Sequence, residues 1–275
     1  MVAQQKIVLA TTLHDAEGRM APFVRSCGPA ISSLFSAVCA VATERTAGET
    51  IGSIDRLPNA IAVAKPASWE QKMGRGRRLA VSMAVQEGAD FILHLDFDRL
   101  IHWILSYKDE LITVLGTDVP ANDFLIIGRT ERAFGTHPAQ QREPESSTNA
   151  AISRELGWKL DVASGCSSFR RNVGEIILKQ SVSDDFGSTD TEWPLLAKMS
   201  GFPPGYIETE GLEFETPGFH AGRIREIGYD AWIDEMFDGD QLAYRRKLDR
   251  ASIEIINETL ERLRSASGGG KVVKG

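Results

Sequence analysis

The sequence predicts an α/β protein built on a Rossmann-like, mostly parallel central sheet with helices on both faces and a helical C-terminal extension. Three observations support this. Short runs that are apolar almost throughout, KIVLATT (6–12), AVCAVAT (37–43), AIAVAK (60–65) and DFILHLDFD (90–98), alternate with stretches of helical periodicity. Strands apolar on both faces require cover on both faces, and the intervening stretches are long enough for helical crossovers. Right-handed crossovers then set these strands side by side in a nucleotide-binding type of half-domain.

After the first run, polar HDAEGR leads into a helical pattern from about Met20 to Phe35. The polar stretch after the second strand, through about Leu57, has room for a short helix. GRGRRLAVSMAVQEGA (74–89) sets Leu79, Met83 and Val85 at helical spacing and stops at a glycine. Helical sequence after Trp103 precedes a fifth strand, DFLIIGR (123–129). The segment 133–149, AFGTHPAQQREPESSTN, is polar, holds two prolines and reads as a mobile surface loop. Beyond it come strand-like LDVASGCSSF, a helix from Asn172, a Gly/Ser/Asp turn, a helix through EWPLLAKMSG and strand-like GYIETEGLEFE. From Arg223 to Arg264 the pattern is helical, with Trp232, Met236, Leu242, Leu248, Ile253, Ile256 and Leu260 supplying apolar faces. The expected organisation is a main domain over 1–222, a helical extension over 223–266 packed on it, and a flexible tail over 267–275.

A chain of 275 residues suits one main core. No apolar run approaches the ~18–20 residues of a membrane span, and the N-terminus has neither a basic leader nor a small-residue cleavage site, so a cytoplasmic location is expected. Cys27, Cys39 and Cys166 lack CxxC spacing and read as reduced, packed thiols. A net charge of −7 argues against nucleic acid as a partner. Small phosphorylated ligands remain compatible through one basic cluster, Lys72, Arg75, Arg77 and Arg78.

Asp96 and Asp98 close the fourth strand, where alternation sets both carboxyls on one side. Open parallel sheets bind ligands beyond the carboxyl ends of their strands. Two acids so placed repel, and a hard cation such as Mg²⁺ or Mn²⁺, shared with phosphate oxygens, relieves the repulsion. The plainer reading is a strand end and a turn, with Arg99 as an ion-pair partner.

The order of these pieces, GRGRRLAVSMAVQEGADFILHLDFD followed by VASGCSSFRR and GSTDTEWPLLAKMSG, resembles the GT-A fold of nucleotide-diphospho-sugar transferases, of the family 2-like type, over roughly residues 6–215. The resemblance implies a metal-dependent glycosyltransferase of hexosyltransferase type that takes a nucleoside-diphosphate-sugar donor, with Mn²⁺ or Mg²⁺ as cofactor. It assigns Asp96 and Asp98 to metal and diphosphate, and His220 to completing the metal shell. Thr11, Thr12 and Glu44 fall where nucleoside contacts lie, and Arg75, Arg77, Arg78 and Arg99 become phosphate candidates. Asp190 and Glu192 stand where inverting relatives keep the catalytic base, although Asp190 equally suits a helix cap and Glu192 a first-turn position. FDRLIHW departs from the pattern: His102 and Trp103 suit either stacking on a sugar or anchoring a helix. A sugar nucleotidyltransferase and a non-catalytic nucleotide- or sugar-binding protein of the same fold are the alternatives. The first is disfavoured by TTLHDAEGR, which has a single glycine after the first strand. The acceptor, the stereochemistry and association as a homodimer stay open.

Overall fold

The computed structural model describes residues 5–64, 72–184 and 188–268. Among the described residues seven strands form one sheet: β1 (Ile7–Leu13), β2 (Ala37–Ala42), β3 (Ala60–Ala64), β4 (Phe91–Asp96), β5 (Phe124–Arg129), β6 (Ser167–Arg170) and β7 (Gly205–Thr209). Their order is β3-β2-β1-β4-β6-β5-β7. All neighbouring pairs are parallel except those made by β6, which runs against both β4 and β5. This is the mostly parallel α/β sheet that the alternating pattern predicts.

The first half is built as read: β1, then α1 (Ala21–Leu34), β2, α2 (Gly48–Asp55), β3, α3 (Met73–Gln86) and β4. Strands β1, β2 and β4 are buried nearly end to end because each face meets helices. On one face Leu9, Val38, Leu93 and Leu95 pack with Val24, Cys27 and Ile31 of α1 and with Phe97, Leu100 and Trp103 of α4 (Phe97–Ser106). On the other, Val8, Cys39 and Ile92 meet Ala80, Val81 and Ala84 of α3. That face also takes Val173 and Ile177 of α9 (Arg171–Gln180) and Trp193 of α10 (Ser188–Met199). After α4 the chain passes through α5 (Lys108–Thr113), a π-helical turn (Val114–Asp118) and α6 (Val119–Ala121) to β5.

Three expectations are corrected. Residues 133–149 are not a loop: α7 (Glu131–Thr136) and α8 (Ala139–Leu156) run through them. The Thr130 side chain caps α7 by accepting from Ala133 N, and Pro138 sits at the N-cap of α8, where its missing N–H costs nothing. The polarity of α8 serves buried polar contacts: Asn149 Nδ2 donates to Asp161 Oδ1 at 2.6 Å, and Glu145 Oε2 lies 2.8 Å from Arg129 Nη2. Of LDVASGCSSF only the last residues are strand, as part of β6, because Asn149 and Tyr206 bind the backbone of 161–163 in an irregular turn. GYIETEGLEFE is strand only as far as Thr209, since Glu110 takes the N–H groups of Glu210 and Gly211 that a longer strand would use.

The C-terminal part comprises α11 (Thr216–Phe219), α12 (Ala221–Ile227), α13 (Tyr229–Met236) and α14 (Gly239–Gly268). Phe214, Trp232, Ile233 and Phe237 make a small core of their own, while α14 lies against α8 and α10. The expected tail falls largely on residues 269–275, which lie outside the described residues. Among the described residues no helix is long and apolar enough to cross a membrane.

Candidate active site

The chain steps outward from β1 through β2 to β3 and then returns to β4 on the opposite side of β1. Such a reversal opens a crevice at the carboxyl ends of the two central strands. Thr12 and Asp96 are register partners there, and Thr12 Oγ1 donates to Asp96 Oδ1 at 2.8 Å.

Strand β4 stops at Asp96 and α4 starts at Phe97, so Asp98 belongs to the first helical turn rather than to the strand as alternation predicts. Asp98 Oδ1 accepts from the Arg99 N–H at 2.8 Å, a turn contact that ends the extended backbone. The two acids titrate in opposite directions. Burial opposes the charge on Asp96, yet Arg77, Arg99, His94 and the Thr12 hydroxyl together hold it below the usual carboxyl range. Burial pushes Asp98 up to about 8, with Glu215 and Asp96 adding repulsion.

Glu215 was not singled out by its sequence. It is one of four glutamates in GYIETEGLEFE, and nothing in their spacing separates it from the others. In the fold it is buried, with Oε1 4.0 Å from Arg99 Nε and Oε2 buried without a hydrogen bond.

Arg77 comes in from α3 as a fully buried guanidinium. Its Nη1 donates to Asp190 Oδ1 at 2.7 Å and to Thr189 Oγ1 at 2.8 Å, and its Nη2 lies 3.5 Å from Asp96 Oδ2. Below these groups runs the turn containing Gly165, whose φ of +67° suits glycine. A Cβ on Gly165 would lie 3.5 Å from Arg77 Nη2, 3.7 Å from Asp190 Oδ2 and 3.8 Å from Arg99 Nη1. Five elements and the segment before α11 thus bring Thr12, Asp96, Asp98, Arg99, Arg77, Asp190 and Glu215 together, with Arg77, Asp190 and Arg99 bordering Gly165.

Asp190 sits in the first turn of α10, and burial pushes it up to about 6 even with Arg77 alongside. A carboxyl that ionises near neutrality and borders open space is suited to accept a proton. Asp190 lines a cavity of about 70 Å³ between α8 and α14.

The other sequence candidates have settled partners. Thr11 is buried and donates to Leu95 O at 2.7 Å, which commits it to the sheet. Arg75 Nε and Arg78 Nη2 bind Asp184 Oδ1 at 2.9 and 2.8 Å, with Lys72 at 3.4 Å from Oδ2, so the basic cluster splits: these three converge on Asp184 and Arg77 alone enters the crevice. Burial opposes the Asp184 charge, but bonds from Arg75 and Arg78 hold its carboxyl down at about 2. Glu192 is fully buried and accepts from Ser181 Oγ at 2.5 Å, Val182 N at 2.9 Å, Ser183 N at 3.2 Å and Arg262 Nη2 at 3.3 Å. It ties the chain before α10 to α14 and has no face toward the crevice from which to act as a base. Glu44 is exposed in the turn after β2. His220 does not join the aspartates: Arg19 Nη1 lies 3.0 Å from both of its ring nitrogens, and the ring packs at 5.4 Å from that of Trp232. Burial and then Arg19 lower its pKa. Trp103 anchors the core, its Nε1 donating to Glu110 Oε2 at 2.9 Å, and His102 Nε2 lies 3.2 Å from Glu213 Oε1.

Among the described residues no three His, Cys, Asp or Glu side chains form a ready metal cage. Asp98 and Glu215 nevertheless suit a hard divalent cation: both are oxygen donors, they repel one another, and Glu215 Oε2 is buried without a partner. Mg²⁺ commonly binds through one or two carboxylates and completes its shell with substrate phosphates.

No protein-family model matches the chain, and no curated protein sequence matches it. Solved structures do. Glucosyl-3-phosphoglycerate synthase from Mycobacterium tuberculosis is 14% identical at a TM-score of 0.46, covering 75% of this chain and 72% of that one. The same enzyme in complex with Mg²⁺ and uridine diphosphate is 13% identical at 0.45, covering 75% and 70%. The 4-diphosphocytidyl-2C-methyl-D-erythritol synthase of Anaerococcus prevotii is 8% identical at 0.47, covering 88% and 97%. At these identities the likeness assigns no role to any residue.

Proposed function

We propose that the chain is a metal-dependent glycosyltransferase whose donor, a nucleoside-diphosphate sugar, binds over the carboxyl ends of β1 and β4. The observation that supports this best is the Thr12–Asp96 bond at the reversal of strand order, with Asp98 and Glu215 beside it. A buried acidic group is costly unless it meets a cation or a donor, and a functional site is where that cost is found.

Asp98 and Glu215 would hold Mg²⁺ or Mn²⁺, which would supply positive charge against a leaving diphosphate. Arg99, with Nη1 buried and unbonded beside the crevice, adds a fixed guanidinium suited to phosphate oxygens. The nucleoside falls to the turn after β2 in this reading, where Glu44 is exposed, while Thr12 is buried and holds Asp96. Asp190 takes the proton of the acceptor hydroxyl as the acceptor oxygen bonds the anomeric carbon. The nucleoside diphosphate leaves with the electron pair of the broken C–O bond, a single displacement that inverts the anomeric centre. Arg77 fixes one Asp190 oxygen and leaves the other toward Gly165.

A nucleotidyltransferase reading is disfavoured by the segment after β1. A phosphate-cradling loop there needs free backbone N–H groups. Asp15 instead accepts from Arg19 N and Met20 N, both at 2.8 Å, and from Thr50 Oγ1 at 2.6 Å. The direct test is incubation with a panel of nucleoside-diphosphate sugars and Mn²⁺, followed by detection of free nucleoside diphosphate. Release from one donor that needs metal and Asp190 supports the reading, and inertness toward every donor counts against it.

A further inference from the structure

Between β7 and α11 the chain has no regular secondary structure, and several of its backbone groups are bound by side chains from elsewhere in the fold. Glu110 takes the N–H groups of Glu210 and Gly211 at 2.8 and 2.9 Å. The next two bonds come from the end of α7. The Thr136 hydroxyl accepts from Phe214 N at 2.8 Å while it donates to Ala133 O at 2.6 Å. His137 Nε2 lies 3.2 Å from Leu212 O, and because a carbonyl only accepts, the imidazole is the donor. The His137 ring also packs against Phe214, with centroids 5.3 Å apart. The local sequence sets this corner. Pro138 restricts the residue before it to extended backbone, so His137, at φ −71° and ψ 145°, leaves the helix and lays its ring on the returning chain.

Glu215 follows directly, and its own carboxyl is weakly held. Oε1 lies 4.0 Å from Arg99 Nε and 3.4 Å from the neighbouring Thr216 hydroxyl, while Oε2 is buried without a hydrogen bond. Asp98 and Glu215 repel one another. A buried carboxylate with so few partners turns to water unless its backbone is fixed by something else. We propose that Thr136 and His137 are positioning residues for the divalent cation: together they fix the backbone that presents Glu215 beside Asp98. The inference rests on the reading that these two acids hold Mg²⁺ or Mn²⁺. The two bonds fall on the first and third residues before Glu215, and the ring contact with Phe214 lies between them, so the chain is gripped at more than one point and cannot pivot about either. Thr136 and His137 act through Glu215 and are not ligands themselves. Side chains that orient a metal ligand matter to affinity because a site must be held in its binding geometry before the ion arrives.

The test is Mn²⁺ binding by the full chain without nucleotide, read from the electron paramagnetic resonance signal of the free ion, which is lost on binding. His137→Phe keeps an aromatic ring against Phe214 and loses the N–H, and Thr136→Val removes the other bond. Each should bind Mn²⁺ at least roughly tenfold more weakly than wild type, the loss seen when an outer partner of a metal ligand is removed. Either variant tests the inference if the other does not fold. Glu215→Gln should lose at least as much, and His137→Gln, whose amide can donate to Leu212 O, should recover part of the affinity. Glu192→Gln, which loosens a different part of the fold, should bind as wild type does. Wild-type affinity in folded His137→Phe or folded Thr136→Val, with loss in Glu215→Gln, would overturn the inference alone, and so would an equal loss in Glu192→Gln. No binding by wild type, or unchanged binding in Glu215→Gln, removes the cation reading and the inference with it.

Discussion

Arg77 Nη1 lies 2.7 Å from Asp190 Oδ1, and the same guanidinium reaches to 3.5 Å from Asp96, so one buried cation joins the strand-end acid to the helix-start acid. Removing it strands two buried carboxyls. Arg77→Met is expected to cost about 3–5 kcal/mol of stability, measured by urea unfolding. In whatever fraction stays folded, Asp190 should ionise at a higher pH than in wild type, since Arg77 is the charge that lowers it.

If Asp190 is the base of the proposed transfer, it sets the acid limb of the rate. Its pKa is raised to about 6, and only the ionised form accepts a proton, so kcat/KM should fall as pH drops below about 6 and level off above it. Asp190→Asn should keep donor binding and lose roughly 10²–10⁴-fold in transfer. Full transfer by that variant would remove Asp190 as the base.

Glu192 separates structure from catalysis within the same STDTEW motif. Glu192→Gln weakens a hub of four donors and should cost about 1–3 kcal/mol in unfolding experiments. The pH–rate profile should keep its shape, and a lost acid limb in this variant would contradict the structural role.

Asp98 gives a stability signature. Its pKa is raised from the ordinary value of about 4 to about 8 in the fold. Its contribution is therefore fully present below the unfolded value and lost as pH rises through about 8. Asp98→Asn removes that loss, so without metal its Tm should exceed that of wild type by more at alkaline than at acidic pH. A pH-independent difference would show that Asp98 is not crowded as described.

The fold was largely legible because the first four strands are apolar on both faces and separated by periodic helices. Leu9, Val38 and Leu93 announce a covered sheet without any knowledge of their partners. Asp96 and Asp98 were picked out by their place at a strand end and Asp190 by the resemblance, and the fold brings the three carboxyls near one another. What pattern missed is what depends on long-range pairing. Helix α8 looked like a loop because its polar residues face Arg129 and Asp161, and polarity in a sequence does not tell a buried ion pair from solvent. The basic cluster looked uniform, yet helical phase sends Arg77 inward and Arg75 and Arg78 to Asp184. Glu215 had no local signal at all, and only the return of the chain after β7 brings it to the crevice.

The central claim, that Asp98 and its neighbours at the mouth of β1 and β4 hold a nucleoside diphosphate through a divalent ion, is tested most directly by calorimetry. Uridine and guanosine diphosphate would be titrated into wild type and Asp98→Ala, each with and without Mn²⁺. Binding to folded wild type that requires Mn²⁺ and vanishes in folded Asp98→Ala is the expected result, and equal affinity in the two proteins would contradict it.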